Sequence, residues 1–368
     1  KTMETLWANL NSTILFVVTL SILIVVHEWG HFITAKRLGI AVERFALGFG
    51  PTIYSRMHNG TRYMINIIPL GGYVKMAGDE RSQCSGKPDE FYSKPAGHRA
   101  LVIFNGPVVN FIFAYVCLFV VFMVGYPDLS NKVGTILEGY PAQAAGVQAG
   151  DQILRVNDRI TESWSGLQEA IISSTADTIQ LRIRRDGREI DTTIAPRVEM
   201  NKSIFGKYLK VRLVGIRPAE DIITLKYNPA VALLKSGQEL IKITSMTYKA
   251  IFAMLTGSMS VKENVTGPIG IFYILQKAAE MGMSHVLFIM GVISASLAIF
   301  NLLPVIPLDG GHLLLLGIEK LRGRALSART DEYVAKAGFS LIIMLALFVL
   351  YSDFSRFGFI DKIKQLFP

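Results

Sequence analysis

The sequence predicts a polytopic α-helical membrane protein that carries one α+β domain outside the bilayer. Three observations point there. Of the 368 residues, 51% are hydrophobic, more than an average soluble chain carries. Four apolar stretches each approach the ~20 residues that cross a bilayer as a helix. Between the second and third lies a long segment, residues 127–285, in which turn signals separate alternating strand patterns.

The first predicted span covers residues 13–35. Its uncharged run, residues 14–26, leads directly into His27-Glu28-Trp29-Gly30-His31. Ionisable groups at that depth are costly and usually functional. Two histidines four residues apart share one helical face, about 6 Å apart along the axis, so both can grip one zinc ion. The glutamate between them is placed to act as general base on a metal-bound water. The plain alternative is a pair of hydrogen-bonded core histidines. No small-x-small cleavage signal follows this span, so it is expected to be retained rather than removed as a signal peptide.

The second span is predicted over residues 100–125, the third over 286–303 and the fourth over 335–351. Basic residues set the orientation. Lys36, Arg37 and Arg44 follow the first span, and Lys94 and Arg99 precede the second. Lys320, Arg322, Arg324, Arg329 and Lys336 lie between the third and fourth. Residues 36–99 and 304–337 are therefore expected in the cytoplasm, with 127–285 and both termini outside. The net charge of +9 suits basic loops beside anionic lipid. No dense basic run marks a nucleic-acid site. Cys84 lies in a polar loop and Cys117 in an apolar span, so no disulfide between them is expected.

In the outer segment, residues 133–137 read as a strand, and Tyr140-Pro141-Ala142 as a turn entering a short helix. Gly150-Asp151 opens a second strand, and residues 164–173 are helical in pattern. Ile179, Leu181 and Ile183 alternate with polar residues, and the Arg185-Asp186-Gly187-Arg188 turn leads to a partner strand over 189–194. Residues 211–216 are expected to close the sheet. The string from Pro141 to Asn157, with Ala145-Gly146 and Gly150-Asp151 at its turns, resembles a bacterial PDZ domain over residues 132–218. PDZ domains bind extended peptides by adding a strand to a sheet edge, often capturing a free carboxylate. The plain alternative is a small sheet domain with no ligand. Residues 228–258 carry apolar positions at helical spacing and read as one or two amphipathic connector helices.

Two histidines leave a tetrahedral zinc site incomplete. Asp309 is the strongest candidate for the third ligand. It sits in Asn301-Leu302-Leu303-Pro304-Val305-Ile306-Pro307-Leu308-Asp309-Gly310-Gly311, where two prolines and two glycines break a span. Irregular backbone at that depth is tolerated where it lines a cavity. The charge map puts this break at the same cytoplasmic depth as His27–His31. A helix cap at the membrane edge is the bland reading of Asp309. His312 is a weaker candidate.

These motifs together resemble the site-2 protease family, in its regulator-of-sigma-E protease branch. Phe104-Asn105-Gly106-Pro107-Val108-Val109-Asn110-Phe111 is similar to that branch's second-span motif, and Pro69-Leu70-Gly71-Gly72-Tyr73-Val74-Lys75-Met76 to its membrane-associated β-hairpin near the active site. The resemblance implies an intramembrane zinc endopeptidase, with one zinc on His27, His31 and Asp309 and with Glu28 as base. It divides the chain into residues 1–126 (two spans, HExxH and the cytoplasmic hairpin), 127–218 (the PDZ-like domain), 219–283 (connector helices) and 284–368 (two spans and the LDGG motif). Asn301, Pro304, Pro307, Asn110, Gly71, Gly72 and Tyr73 are the candidate substrate-binding residues, with interhelical packing as the alternative for both asparagines. Implied partners are single-span membrane proteins, such as an anti-sigma factor or signal-peptide remnants, lipid, and a peptide C-terminus at the PDZ-like domain. The implied location is the bacterial inner membrane, with the PDZ-like domain periplasmic. The best-known enterobacterial member of that branch is expected to carry two tandem PDZ domains, and sequence for only one is legible here. A catalytically inactive PDZ scaffold and a zinc transporter are the rival functions. An intact Glu28 disfavours the first, and the apolar spans disfavour the second.

Overall fold

The computed structural model describes residues 2–202, 208–324 and 326–357. The chain forms two compact units. One comprises the chain up to Val121, Leu233–Tyr248 and the residues from Ser260; the other comprises Phe122–Ala232 and Lys249–Met259.

The first unit opens with α1 (Thr2–Arg37), a hairpin of β1 (Val42–His58) and β2 (Thr61–Met76), and α2 (Ala96–Val124). The hairpin turns at Asn59-Gly60, where both residues have positive φ (48° and 75°), as a two-residue β-turn requires. Gly71 and Gly72 are not at that tip. They lie inside β2, where the strand folds back on itself, so that Ala46 pairs with both Met64 and Tyr73 and Leu47 with both Ile65 and Gly72. The second arm of β2 thereby runs along β1 beside α1. A small cluster of Ala35, Ile40, Val42, Phe91 and Val102, with Phe32 and Val74 against it, seats the base of the hairpin on α1 and α2.

The second unit contains β3 (Tyr126–Leu129), β4 (Val133–Ile136), α3 (Pro141–Ala144), β5 (Gln152–Val156), β6 (Arg159–Ile160), α4 (Trp164–Ser173), β7 (Ile179–Arg185), β8 (Arg188–Ile194), β9 (Arg197–Lys202), β10 (Tyr208–Leu213), β11 (Ile216–Pro218) and β12 (Ile222–Leu225). Its main sheet has the order β6-β5-β7-β8. The alternation along β7 buries Ile179, Leu181 and Ile183. They meet Trp164, Leu167 and Ile171 of α4, whose N-terminus is capped by the Ser163 hydroxyl. Asp186 and Gly187 both have positive φ and turn β7 into β8. The closing strand expected over 211–216 is absent from this sheet. Its first residues belong to β10, which forms a separate ribbon with β9, and Ile216 begins β11, which pairs with β4. Buried Asp151 ties β5 to β7 through two bonds to Arg185, at 2.7 and 2.8 Å.

One continuous helix, α5 (Pro229–Leu255), follows, with Asn228 accepting from Val231 N–H at its start. The first unit then resumes with α6 (Val261–Asn264), α7 (Pro268–Met281), α8 (Met283–Asn301), α9 (Asp309–Arg322) and α10 (Ala328–Arg356). Among the described residues, four segments are long and apolar enough to cross a membrane: Leu10–Arg37, Ala96–Val124, Met283–Asn301 and Glu332–Arg356. The chain is thus a polytopic α-helical membrane protein. The last of these segments is anchored at its C-terminal end, where buried Asp353 accepts from Gly267, Ile269 and Gly270 N–H and caps α7. Large apolar side chains along it, such as Phe339, Met344 and Leu347, are exposed, as a lipid-facing helix requires.

Candidate metal centre

Close approach of two helices builds the site. Gly30 on α1 faces Asn105 and Gly106 on α2, and a Cβ on either glycine would collide with the other helix. Small residues at a membrane crossing let backbones meet. Asn105 Nδ2 fastens the crossing by donating to Gly30 O (3.2 Å) and Thr34 Oγ1 (2.5 Å). The two histidines one turn apart on α1 are therefore pressed against α2 and buried.

Asp309 arrives from another part of the chain. After α8 the backbone folds tightly through residues 302–308 before α9 begins. Gly310 and Gly311 permit this, since a Cβ on Gly311 would lie 2.5 Å from Ile306 N, and one on Gly310 would strike the Leu302 carbonyl. Asp309 is the first helical residue of α9, inside the Leu308 N-cap, so it is not the capping residue. Burial raises its carboxyl pKa, but the two imidazoles beside it outweigh that and hold it well below the usual carboxylate range.

His27, His31 and Asp309 form the metal-competent group found among the described residues. His27 Nε2 and His31 Nε2 are 3.2 Å apart, and Asp309 Oδ2 lies 3.2 Å from the first and 3.5 Å from the second. Ligands about 2.0–2.1 Å from a tetrahedral zinc stand about 3.3–3.4 Å from one another. Asp309 Oδ2 is buried without a hydrogen-bond partner although two ring nitrogens face it. Three acceptor atoms converging on one point at that spacing fit a zinc ion. His31 donates from Nδ1 to Val102 O at 2.9 Å, which leaves its Nε2 lone pair toward that point.

Glu28 stands beside this group, with a hydrogen bond from the Val74 backbone in the second arm of β2. Gly72 packs against it closely enough that a Cβ would sit 3.5 Å from Glu28 Cγ. A cavity of about 370 Å³ opens onto Glu28 and the three-residue group, and Tyr73, Asn301, Pro307 and His312 help line it. The remaining candidates lie elsewhere. Gly71 packs under the Phe49 ring at φ 112°, and Pro304 is exposed outside the cavity lining. Asn110 is fully buried against His27 and does not line the cavity, in keeping with the packing alternative. A larger cavity of about 500 Å³ lies alongside, with Arg81, Arg99 and Glu319 in its lining, but it lacks the metal group. There the buried Glu319 carboxylate pairs with Arg81 and Arg99 and accepts from Leu326 N–H.

Val74 lies in the hairpin motif without being marked as a partner of Glu28, and Val102 and Glu319 carry no sequence signal as supports of this region. Val74 and Val102 act through backbone groups, which leave no mark in residue identity. Asn105 and Gly106 were visible as a motif, but not as the surface against which the histidines rest.

The profile of peptidase family M50 matches residues 15–345. A chain of Campylobacter jejuni whose name includes "zinc metalloprotease" is 31% identical over 343 residues, covering 92% of each chain. The regulator of sigma-E protease RseP of Escherichia coli is 29% identical over 446 residues, 93% of this chain and 98% of that protein. The zinc metalloprotease RasP of Shouchella clausii is 26% identical over 426 residues, 94% of this chain and 99% of that one. The Escherichia coli alignment is longer than this whole chain. About a hundred of its positions have no counterpart here, the size of one small domain.

Proposed function

The chain belongs to peptidase family M50 and is a zinc metalloprotease of the site-2 type, and from that premise we propose that it is an endopeptidase acting inside the membrane, with one zinc ion on His27, His31 and Asp309 and with Glu28 as catalytic base. The observation that carries this is the convergence of the three ligand atoms next to Glu28, on a helix that also forms a membrane span. When bound, zinc supplies Lewis acidity, which acidifies water and polarises a carbonyl. Glu28 takes the proton of the attacking water and delivers it to the leaving amine. The Val74 backbone bond holds the Glu28 carboxylate in place for that transfer.

A helical substrate shields its own peptide bonds, so local unwinding precedes attack. The arm of β2 around Gly72 and Tyr73 offers a strand along which an unwound segment can pair. Asn301 and Pro307 line the same cavity, which supports a role for the Asn301 amide in hydrogen-bonding the substrate backbone. Gly71 acts through the fold-back of β2, not by contact.

The basic residues near the spans support an orientation in the bacterial inner membrane with the metal site toward the cytoplasm and residues 127–285 in the periplasm. A PDZ-like reading of residues 132–218 is supported by the four-stranded sheet packed on α4 and by the glycine turns of its motif. Substrates of the stated class are single-span proteins, including an anti-sigma factor, in keeping with relatives named for regulation of sigma-E. Signal-peptide remnants fit the same site. Metal analysis of detergent-purified protein tests the assignment. One zinc per chain in the wild type and its loss in His27→Ala, His31→Ala and Asp309→Ala are expected. Full zinc content in any of the three would remove that residue from the site.

A further inference from the structure

The two histidines differ in what holds their second ring nitrogen. For His31 it is a backbone carbonyl, Val102 O, which accepts only and leaves the ring one tautomer. For His27 it is the amide of Asn110, with Nδ2 and His27 Nδ1 3.2 Å apart. With Nδ2 toward the ring, Nδ1 must accept, and the proton moves to Nε2, the nitrogen that faces Asp309 and His31. That tautomer cannot bind a metal through Nε2. In the same orientation Asn110 Oδ1 is buried without a hydrogen-bond partner. A half-turn of the amide exchanges its oxygen and nitrogen, which occupy nearly equivalent positions. Oδ1 then accepts from His27 Nδ1–H, and the Nε2 lone pair points to the metal position.

We propose that Asn110, in this turned orientation, is the positioning residue that fixes His27 in its metal-binding tautomer. The residue is well placed to be rigid. It is fully buried on α2, and its own carbonyl accepts from Ser294 Oγ of α8 at 2.9 Å, which holds the backbone at that level. α2 thus supplies both outer contacts of the histidine pair, Val102 O to one ring and Asn110 to the other. The inference rests on the reading of His27 as a zinc ligand.

The test is zinc affinity of the full-length protein in detergent, measured by competition with a chromophoric chelator. Asn110→Leu keeps the volume and removes the acceptor, and a zinc affinity about 10–100-fold weaker is expected, the usual range for a lost outer-shell partner. Asn110→Asp can only accept when ionised, fixes the same tautomer, and is expected to restore affinity to within a few-fold of wild type. A purely packing role predicts the reverse order, because the aspartate buries a charge and the leucine does not. Wild-type affinity in Asn110→Leu, or equal weakness in both variants, overturns the proposal. Retention of zinc by His27→Ala overturns it together with the ligand assignment, whereas loss there with unchanged Asn110→Leu overturns the proposal alone. Ring nitrogen shifts of 15N-histidine in the zinc-loaded wild type provide a readout that needs no variant. A protonated Nδ1 on His27 is expected, and an unprotonated one contradicts the assignment.

Discussion

Gly106→Ala is a one-methyl change whose effect follows from the helix crossing. A Cβ at Gly106 would meet the imidazole of His31 at Cε1 and Nε2 and would lie 3.0 Å from His27 Cε1. Neither ring can retreat freely, because His31 is held by Val102 O and His27 by Asn110. The added methyl must therefore tilt the rings or part the helices. Overpacking of this kind costs about 1–3 kcal/mol. If the strain is relieved by displaced ligands, that energy appears as a loss of zinc affinity of about 5- to 150-fold, at 1.4 kcal/mol per factor of ten. Gly97→Ala is the matched control, since α2 offers open space there. Chelator competition in detergent gives the affinity, and a thermal melt of the metal-free protein reports whether the helices still pack. Unchanged zinc affinity together with an unchanged melting midpoint in Gly106→Ala would refute the packing of the histidines against α2.

Three further outcomes follow from buried polar contacts. Glu319→Gln leaves Arg81 and Arg99 without their shared carboxylate, and a loss of about 3–5 kcal/mol is expected as a lowered melting midpoint; Glu332→Gln, which breaks an exposed pair with Lys336, should leave the midpoint nearly unchanged. Burial raises the Asp151 carboxyl pKa, but the Arg185 guanidinium and the Gln148 N–H outweigh it and hold it low. The folded form thus binds this proton less readily than the unfolded one, so the stabilisation is complete above about pH 4 and fades as pH falls through the depressed folded value. Hydrogen-exchange protection of residues 150–194 should fall in that acid window, and Asp151→Asn should flatten the pH dependence. Asp353→Ala removes the acceptor for three N–H groups of α7, and a loss of about 0.5–2 kcal/mol is expected in the same melt.

The features legible in sequence are those whose physics is local. The four spans follow from uninterrupted apolar length, and α4 from its helical pattern. Asp186-Gly187 announces its turn because few residues tolerate positive φ. The Asn59-Gly60 turn carries the same local signal. What was not legible depends on distant partners. The fold-back of β2 and the separate β9–β10 ribbon are choices among pairings that local alternation does not rank. Within the site, His27, His31 and Asp309 could be set at one depth from charge and hydropathy alone, and the structure brings them within hydrogen-bonding distance of one another. Asn110 looked like any intramembrane amide, because only the packed structure shows that its neighbour is a histidine ring. Arg81, Arg99 and Glu319 are hundreds of residues apart in part and have no motif in common.

The most direct measurement is cleavage of a tagged single-span membrane protein by detergent-purified wild type and Glu28→Gln, with zinc quantified in both. The account predicts that Glu28→Gln keeps one zinc per chain and loses cleavage by several orders of magnitude, because the ligand set is intact and the base is gone. Cleavage that survives in Glu28→Gln would contradict the assigned mechanism.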